Sequence, residues 1–256
     1  MTSFASPAIL IRRVRYGESD LIVTLFTKNA GKIAAIAKAA LKSVKRFPGT
    51  LEMFSELEVV CTKSRKGNLR LLQEAALVSP FSGIRQNVEK TAYASYWAEI
   101  VNGWMEDEQP QDEAYRLLQF GLEALDSGSK PNAELSILFQ LRFMALIGLN
   151  PNFRTCSVCG KSIEGEGRQR VRFNLALGGV VCRECPSGMA GDGTRLSAGT
   201  LKQLTWVEEK ELEKAARIHF NAQALEEGLN LLEVFVPYHL ERVPKSLKIL
   251  QQVRQR

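Results

Sequence analysis

The pairs Cys156-Ser-Val-Cys159 and Cys182-Arg-Glu-Cys185, which enclose 22 residues beginning with Gly160, decide the fold of the C-terminal half of this 256-residue chain. Two C-x2-C turns can supply the four thiolates of a tetrahedral zinc site. Between them, Val171–Leu177, Gly178-Gly179 and Val180-Val181 predict a hairpin with a glycine turn. The pattern predicts a zinc ribbon over residues 152–190 that holds one structural zinc per chain, with Cys156, Cys159, Cys182 and Cys185 as ligands.

Two other uses of paired cysteines fit less well. A redox dithiol needs one pair in a thioredoxin-like βαβ context, which the sequence lacks. A catalytic zinc keeps one ligand position open, whereas four cysteines close the shell. The fifth cysteine, Cys61, lies in an alternating strand-like run, which favours a buried core thiol.

Helical periodicity surrounds the ribbon. Before it, Gly148 lies where a C-cap glycine belongs, and after it, Ser197 is a candidate N-cap. We therefore expect a helical domain over residues 81–151 and 191–256, interrupted by the ribbon and ending in a basic tail. The predicted helices are Ile84–Met105, Asp112–Leu125, Asn132–Ile147, Ser197–Thr205 and Gln223–Tyr238.

The first 80 residues carry strand patterns separated by turn signals. Five short strands in so short a segment are typical of the OB-fold barrel. The third run is Ala-rich and is also compatible with a helix. The overall prediction is an α+β multidomain protein with an OB-fold over residues 1–80. The predicted strands are Ala8–Val14, Asp20–Thr27, Lys32–Ala37, Glu56–Thr62 and Leu69–Val78.

Positive charge is concentrated in the same segment. Residues 1–80 hold 13 Lys and Arg against 6 Asp and Glu, and no acid occurs between Leu21 and Leu51. A basic module of this kind favours binding to the phosphates of nucleic acid, although a solvated basic face gives the same pattern. The predicted contact residues are Lys28, Lys32, Lys38, Lys42, Lys45, Arg46, Lys63, Arg65, Lys66 and Arg70.

Other function classes find little support. No apolar run reaches the roughly 18 residues of a membrane span, and the N-terminus does not resemble a signal peptide, so we expect a cytoplasmic protein. Gly160-Lys161-Ser162 resembles the end of a phosphate-binding loop, but Thr155 stands where that loop needs glycine. With only two histidines and no nucleophile–base pattern, we expect no enzymatic activity.

A series of local motifs resembles the RecO family of recombination mediators. Each is short, but their order and spacing span nearly the full chain. Ala39-Ala40 departs from the pattern, because a glycine is expected after Lys38. The motifs are Tyr16-Gly-Glu18-Ser-Asp20-Leu-Ile, Leu25-Phe26-Thr27, Gly31-Lys32, Lys42-Ser43 before Phe47, Leu51-Glu-Met-Phe54, Leu57-Glu58, Gly148-Leu-Asn-Pro151 and Lys245-Ser246-Leu247.

This resemblance implies binding to single- and double-stranded DNA and annealing of complementary strands without ATP. It implies action with RecR in loading RecA, and contact of the helical domain with the acidic, apolar-ended tail of the single-stranded-DNA-binding protein. Arg116 and Arg142 are candidate cations for that tail. The alternatives are an OB-fold and zinc-ribbon factor that binds RNA in translation or transcription, an enzyme whose residues converge only in space, and a purely structural interaction protein.

Overall fold

The structure is a computed structural model that describes residues 3–43, 46–62, 69–163, 170–185 and 194–255. Its contacts divide the chain into two compact units, Met1–Ser129 with Pro244–Arg256, and Lys130–Val243. The α+β fold class is confirmed, whereas the division into three domains stays a prediction. No helix in the described ranges is long and apolar enough to cross a membrane.

Five strands of the first unit form a closed barrel in the order β1-β2-β3-β5-β4. All neighbours are antiparallel except β3 and β5, which pair in parallel at Ala35↔Arg70 and Ile36↔Leu71. This is the five-stranded OB-fold arrangement, and the Ala-rich third run is a strand. The strands are β1 (Ser3–Tyr16), β2 (Asp20–Thr27), β3 (Gly31–Ala37), β4 (Glu56–Thr62) and β5 (Arg70–Ser79).

The barrel closes because apolar side chains alternate along its strands. Val23 and Leu25 on β2, with Val59 and Cys61 on β4, are completely or almost completely buried. Intervening polar residues such as Thr24 and Glu58 are half-buried or exposed, as the period of two requires. Cys61 is the buried core thiol that its run predicted, and burial raises its pKa to about 11.

The helices of the first unit follow the barrel. Asn87 caps α2 by accepting a hydrogen bond from the Lys90 N–H at 3.0 Å. Glu99 accepts bonds from the first backbone N–H groups of α8, which ties the C-terminal helix to α2. The helices are α1 (Ser82–Arg85), α2 (Val88–Trp104), α3 (Asp112–Ser127) and α8 (Lys245–Arg254).

The second unit joins four helices to a three-stranded sheet ordered β7-β6-β8. Ser197 caps α5 through a bond from the Thr200 N–H, and Gly148, with φ +77°, follows the end of α4, as the sequence predicted. The short α6 and β8 were not predicted. The elements are α4 (Asn132–Leu146), β6 (Val171–Asn174), β7 (Gly179–Val181), β8 (Arg195–Leu196), α5 (Ala198–Glu209), α6 (Leu212–Ala215) and α7 (Ala222–His239).

Candidate metal centre and nucleic-acid interface

The four predicted cysteine ligands come together in the second unit. Their Sγ atoms all lie within 4.8 Å of one another. Cys156 Sγ is 3.8 Å from Cys185 Sγ, and Cys159 Sγ is 3.7 Å from Cys182 Sγ. Four sulfurs at about 2.3 Å from one ion, the zinc–thiolate bond length, would be separated by about 3.8 Å at the corners of a tetrahedron. The cluster is therefore a four-cysteine metal-binding site.

Backbone hydrogen bonds shape the first cysteine turn. The Gly160 N–H donates to Cys156 O at 2.8 Å, and the Ser157 N–H donates to Val180 O at 2.8 Å, which fixes the turn against β7. Gly160 has φ +74°, a conformation that costs glycine nothing. The predicted hairpin is present, with β6 and β7 in register at Phe173↔Val180.

The turns also prepare the thiols for a cation. Burial alone would raise the pKa of Cys156, but N–H donors led by those of Cys159 and Cys182 outweigh it, and the pKa falls to about 6. Burial and the neighbouring thiols raise the pKa of Cys185 to about 12. Four crowded thiols cannot all ionise unless a cation offsets their charge, which is the chemistry of a metal site.

Three of the cations predicted to contact nucleic acid form ion pairs with acidic residues of the same chain. Arg70 donates to Glu108 Oε1 through Nε at 3.0 Å and Nη2 at 2.7 Å. Lys32 Nζ lies 3.2 Å from an Asp107 carboxylate oxygen, and Lys28 Nζ lies 3.8 Å from one of Asp112. Two of these acids, Asp107 and Glu108, lie in the segment between α2 and α3, and the third, Asp112, is the first residue of α3.

Three other predicted contacts are exposed. Lys38 and Lys42 lie in the turn after β3. Neither forms an ion pair with any of the described residues. Arg46 is exposed and donates to Leu72 O and Gln73 O at 3.2 and 3.1 Å. The remaining four, Lys45, Lys63, Arg65 and Lys66, lie outside the described residues.

The end of the barrel that carries Lys38 and Lys42 has further cations that the sequence reasoning did not single out. The Leu41 N–H donates to Ser19 O at 2.9 Å, so the turn after β3 lies against the β1–β2 turn. Arg12, Arg15 and Tyr16 are exposed on the adjoining end of β1. The sequence feature that could have indicated these cations is an unusual run of basic residues at the end of a predicted strand. Phe26, Phe47 and Phe54 are buried, whereas Tyr16, at this end of the barrel, is an exposed aromatic ring.

The two candidate tail-binding arginines lie in different units. Arg116, on α3, pairs with Asp112 at 2.8 Å and is largely exposed. Arg142, on α4, has a lowered pKa because burial disfavours its charge, although Glu211 and Glu208 favour it. Among the described residues, Nε and Nη2 of Arg142 have no hydrogen-bond partner.

An OB-fold barrel, a helical body and a four-cysteine ribbon together define a class of modular proteins whose barrel is a common nucleic-acid-binding fold. Residues 1–81 match the family described as Recombination protein O N terminal, and residues 85–248 match Recombination protein O C terminal. The chain belongs to the RecO family.

Curated relatives match this chain over nearly its full length. The chain is 47% identical over 258 residues to DNA repair protein RecO of Desulfosudis oleivorans, covering 99% of both chains. It is 43% identical to DNA repair protein RecO of Desulfatibacillum aliphaticivorans over 100% of this chain and 99% of the relative. For the protein of the same name from Syntrophus aciditrophicus, the identity is 34% over 96% and 94%.

Proposed function

We propose that this chain acts in DNA repair and recombination as a non-enzymatic mediator that binds single- and double-stranded DNA and anneals complementary strands without ATP. The full-length match to RecO proteins carries the proposal. The exposed cations at one end of the barrel support it, because phosphate contacts give affinity without reading sequence. A role on bacterial DNA supports the further proposal that the protein acts in the cytoplasm.

In this mechanism the protein lowers the repulsion between two strands. Lys38, Lys42 and Arg46, with Arg12 and Arg15 nearby, give a cationic surface that neutralises phosphates and releases their counterions. Tyr16, with about half of its surface exposed, offers a ring on which a base can stack. No covalent step is needed.

The test is annealing of two complementary fluorescent oligonucleotides without ATP. We expect the protein to accelerate annealing, and to do so less well as salt rises, because counterion release is lost. No acceleration at low salt, in protein that has its metal, would reject the proposal. A matched RNA pair separates the RNA-binding alternative, which predicts preference for RNA.

The metal in the four-cysteine site is proposed to be structural zinc, one ion per chain. The chemistry of the donors supports it, because four thiolates close a tetrahedral shell and favour zinc. Zinc would hold the two cysteine turns together and contribute folding free energy. Elemental analysis of native protein should find about one zinc per chain, as four ligands require.

The partners implied by the family also remain proposals: RecR, with which the protein would load RecA, and the acidic tail of the single-stranded-DNA-binding protein. Arg142 supports the second, because a carboxylate could satisfy its two unpartnered nitrogens. Binding of a fluorescent acidic tail peptide should weaken in Arg142→Ala. Arg116→Ala is the comparison, since its guanidinium already has Asp112. Unchanged binding in both variants would discard this site.

A further inference from the structure

One face of the ribbon sheet brings two arginines together. The central strand β6 pairs with β8 in the register Val171↔Leu196 and Arg172↔Arg195. Directly opposed residues of antiparallel strands share a face, with Cβ atoms about 5 Å apart. Val171 and Leu196 are buried on one face, so the two guanidinium side chains lie next to each other on the other. Arg195 is exposed and Arg172 is half-buried.

This arrangement is unfavourable without an anion, because like charges directly opposite in a sheet repel. Three other cations of the ribbon have carboxylate partners: Arg154 pairs with Glu209, Lys161 with Glu184 and Arg170 with Glu227. Neither Arg172 nor Arg195 forms an ion pair with any carboxylate of the described residues. Arg183, soon after β7, is exposed as well.

We propose that the face carrying Arg172 and Arg195 is a second site for the phosphate backbone of single-stranded nucleic acid. Each guanidinium presents a planar fork of N–H donors that fits phosphate oxygens, and two forks side by side can hold one phosphate or neighbouring phosphates. The inference rests on the proposed function, because annealing brings two strands to one protein. The barrel cations belong to the first unit and this face to the second, so each unit has a site of its own.

The test compares the full-length, metal-containing wild type with Arg172→Gln/Arg195→Gln. Binding of a labelled single-stranded oligonucleotide is measured across a salt series, and annealing is measured separately. We expect the slope of log affinity against log salt to fall by about 1.4, the value for two phosphate contacts on a single strand. Annealing should be slower than in the wild type, because one strand loses phosphate contacts. The melting temperature should not fall, because the substitution removes a repulsive pair.

Lys202→Gln/Lys214→Gln is the matched control, since it removes two exposed cations from helices of the same unit. It should leave the salt slope near that of the wild type, and Arg172→Lys/Arg195→Lys, which keeps both charges, should retain most of it. Equal losses in the control and the arginine variant would overturn the inference, because net charge alone would then explain them.

Failure of this inference can be told apart from failure of the proposed function. If the wild type neither binds nor anneals DNA, the proposed function fails. If the wild type does both and the arginine variant matches it, only the second site is rejected. Should the double variant fail to fold, Arg195→Gln alone should reduce the slope by about 0.7, one contact. An unchanged slope would reject the site just as firmly.

Discussion

The Arg70 guanidinium and the Glu108 carboxylate meet through two hydrogen bonds, from Nε and Nη2 to one carboxylate oxygen. The Arg70 side chain is only 11% exposed, and it also lies over the ring of Phe4, 4.9 Å from the centroid. The backbone joins the same contact, because the Glu108 N–H donates to Lys32 O at 2.9 Å. The segment between α2 and α3, which contains Asp107 and Glu108, therefore holds this side of the barrel through its contacts with Lys32 and Arg70.

The two groups of barrel cations should behave differently when their charge is reversed. Lys38→Glu/Lys42→Glu should reduce the salt slope of single-stranded DNA binding by about 1.4 and leave stability nearly unchanged, since both residues are exposed. Lys28→Glu/Lys32→Glu should lower the free energy of unfolding by roughly 2–4 kcal/mol, because Lys32 would lose its bond to Asn102 O and face Asp107. Fluorescence anisotropy and urea unfolding measure the two effects. If instead the Lys28→Glu/Lys32→Glu variant lost the salt slope and the Lys38→Glu/Lys42→Glu variant lost stability, DNA would bind on the side of the barrel that carries Lys28 and Lys32.

Gly31 should tolerate no side chain. Its φ is +68°, and an added Cβ would lie 2.1 Å from Gln109 O. Gly31→Ala should therefore destabilise the protein by roughly 3 kcal/mol or more, combining backbone strain with displacement of the segment. Gly49→Ala is the matched control, with φ +65° and nothing within 4 Å, and should cost only about 1–2 kcal/mol. Equal losses in urea unfolding would show that Gln109 can move away freely.

Ala39 follows Lys38 at the position where the family pattern has glycine. Its φ is +54°, so the turn keeps the left-handed conformation that glycine adopts without strain. Ala39→Gly should stabilise the protein by about 1 kcal/mol, because relief of strain exceeds the entropy that glycine loses. Ala40→Gly should instead destabilise it, since the Ala40 side chain packs against the barrel core. Thermal unfolding of both variants, compared with the wild type, gives the signs.

Loss of the metal should destabilise the second unit. Cys159→Ala removes one of the four clustered thiols, and we expect it to abolish metal binding and lower the melting temperature by roughly 10 °C or more. Cys61→Ala is the control, because this thiol is alone in the barrel core. That variant should keep its metal and lose only modest stability. A Cys159→Ala protein with full metal content would contradict the four-ligand site.

Glu227 should give a pH-dependent contribution to stability. Burial alone would raise its pKa, but bonds from the Ser197 N–H at 2.7 Å, the Thr200 hydroxyl and the Gln223 amide lower it. A depressed pKa means that the contribution is complete above the unfolded value of about 4.3 and is lost as pH falls through the folded value.

Glu227→Gln should therefore lower the free energy of unfolding by about 2 kcal/mol at neutral pH, and the difference from the wild type should shrink near pH 3. Urea unfolding at both pH values measures it. Glu226→Gln, on the exposed side of the same helix, should have little effect at either pH. A constant difference would mean that the charge of Glu227 does not stabilise the fold.

The sequence alone determined features that depend on neighbours along the chain. Alternation in runs such as Glu56–Thr62 was enough to predict strands, because a strand exposes and buries successive residues in turn. The spacing within Cys156–Cys159 and Cys182–Cys185 was enough to predict the ligand set, since each turn places two thiols on one side. Caps such as Ser197 were readable for the same reason.

Only the tertiary structure decided which charges are free. Arg70 meets Glu108 across 38 residues, and Lys32 meets the Asn102 carbonyl across 70, so no local pattern could separate these cations from Lys38 and Lys42. The pairing of Arg172 with Arg195 depends on the strand register between β6 and β8. Charge composition is additive along a chain, whereas Coulomb energy depends on distances in space, and those distances arise only when distant segments pack together.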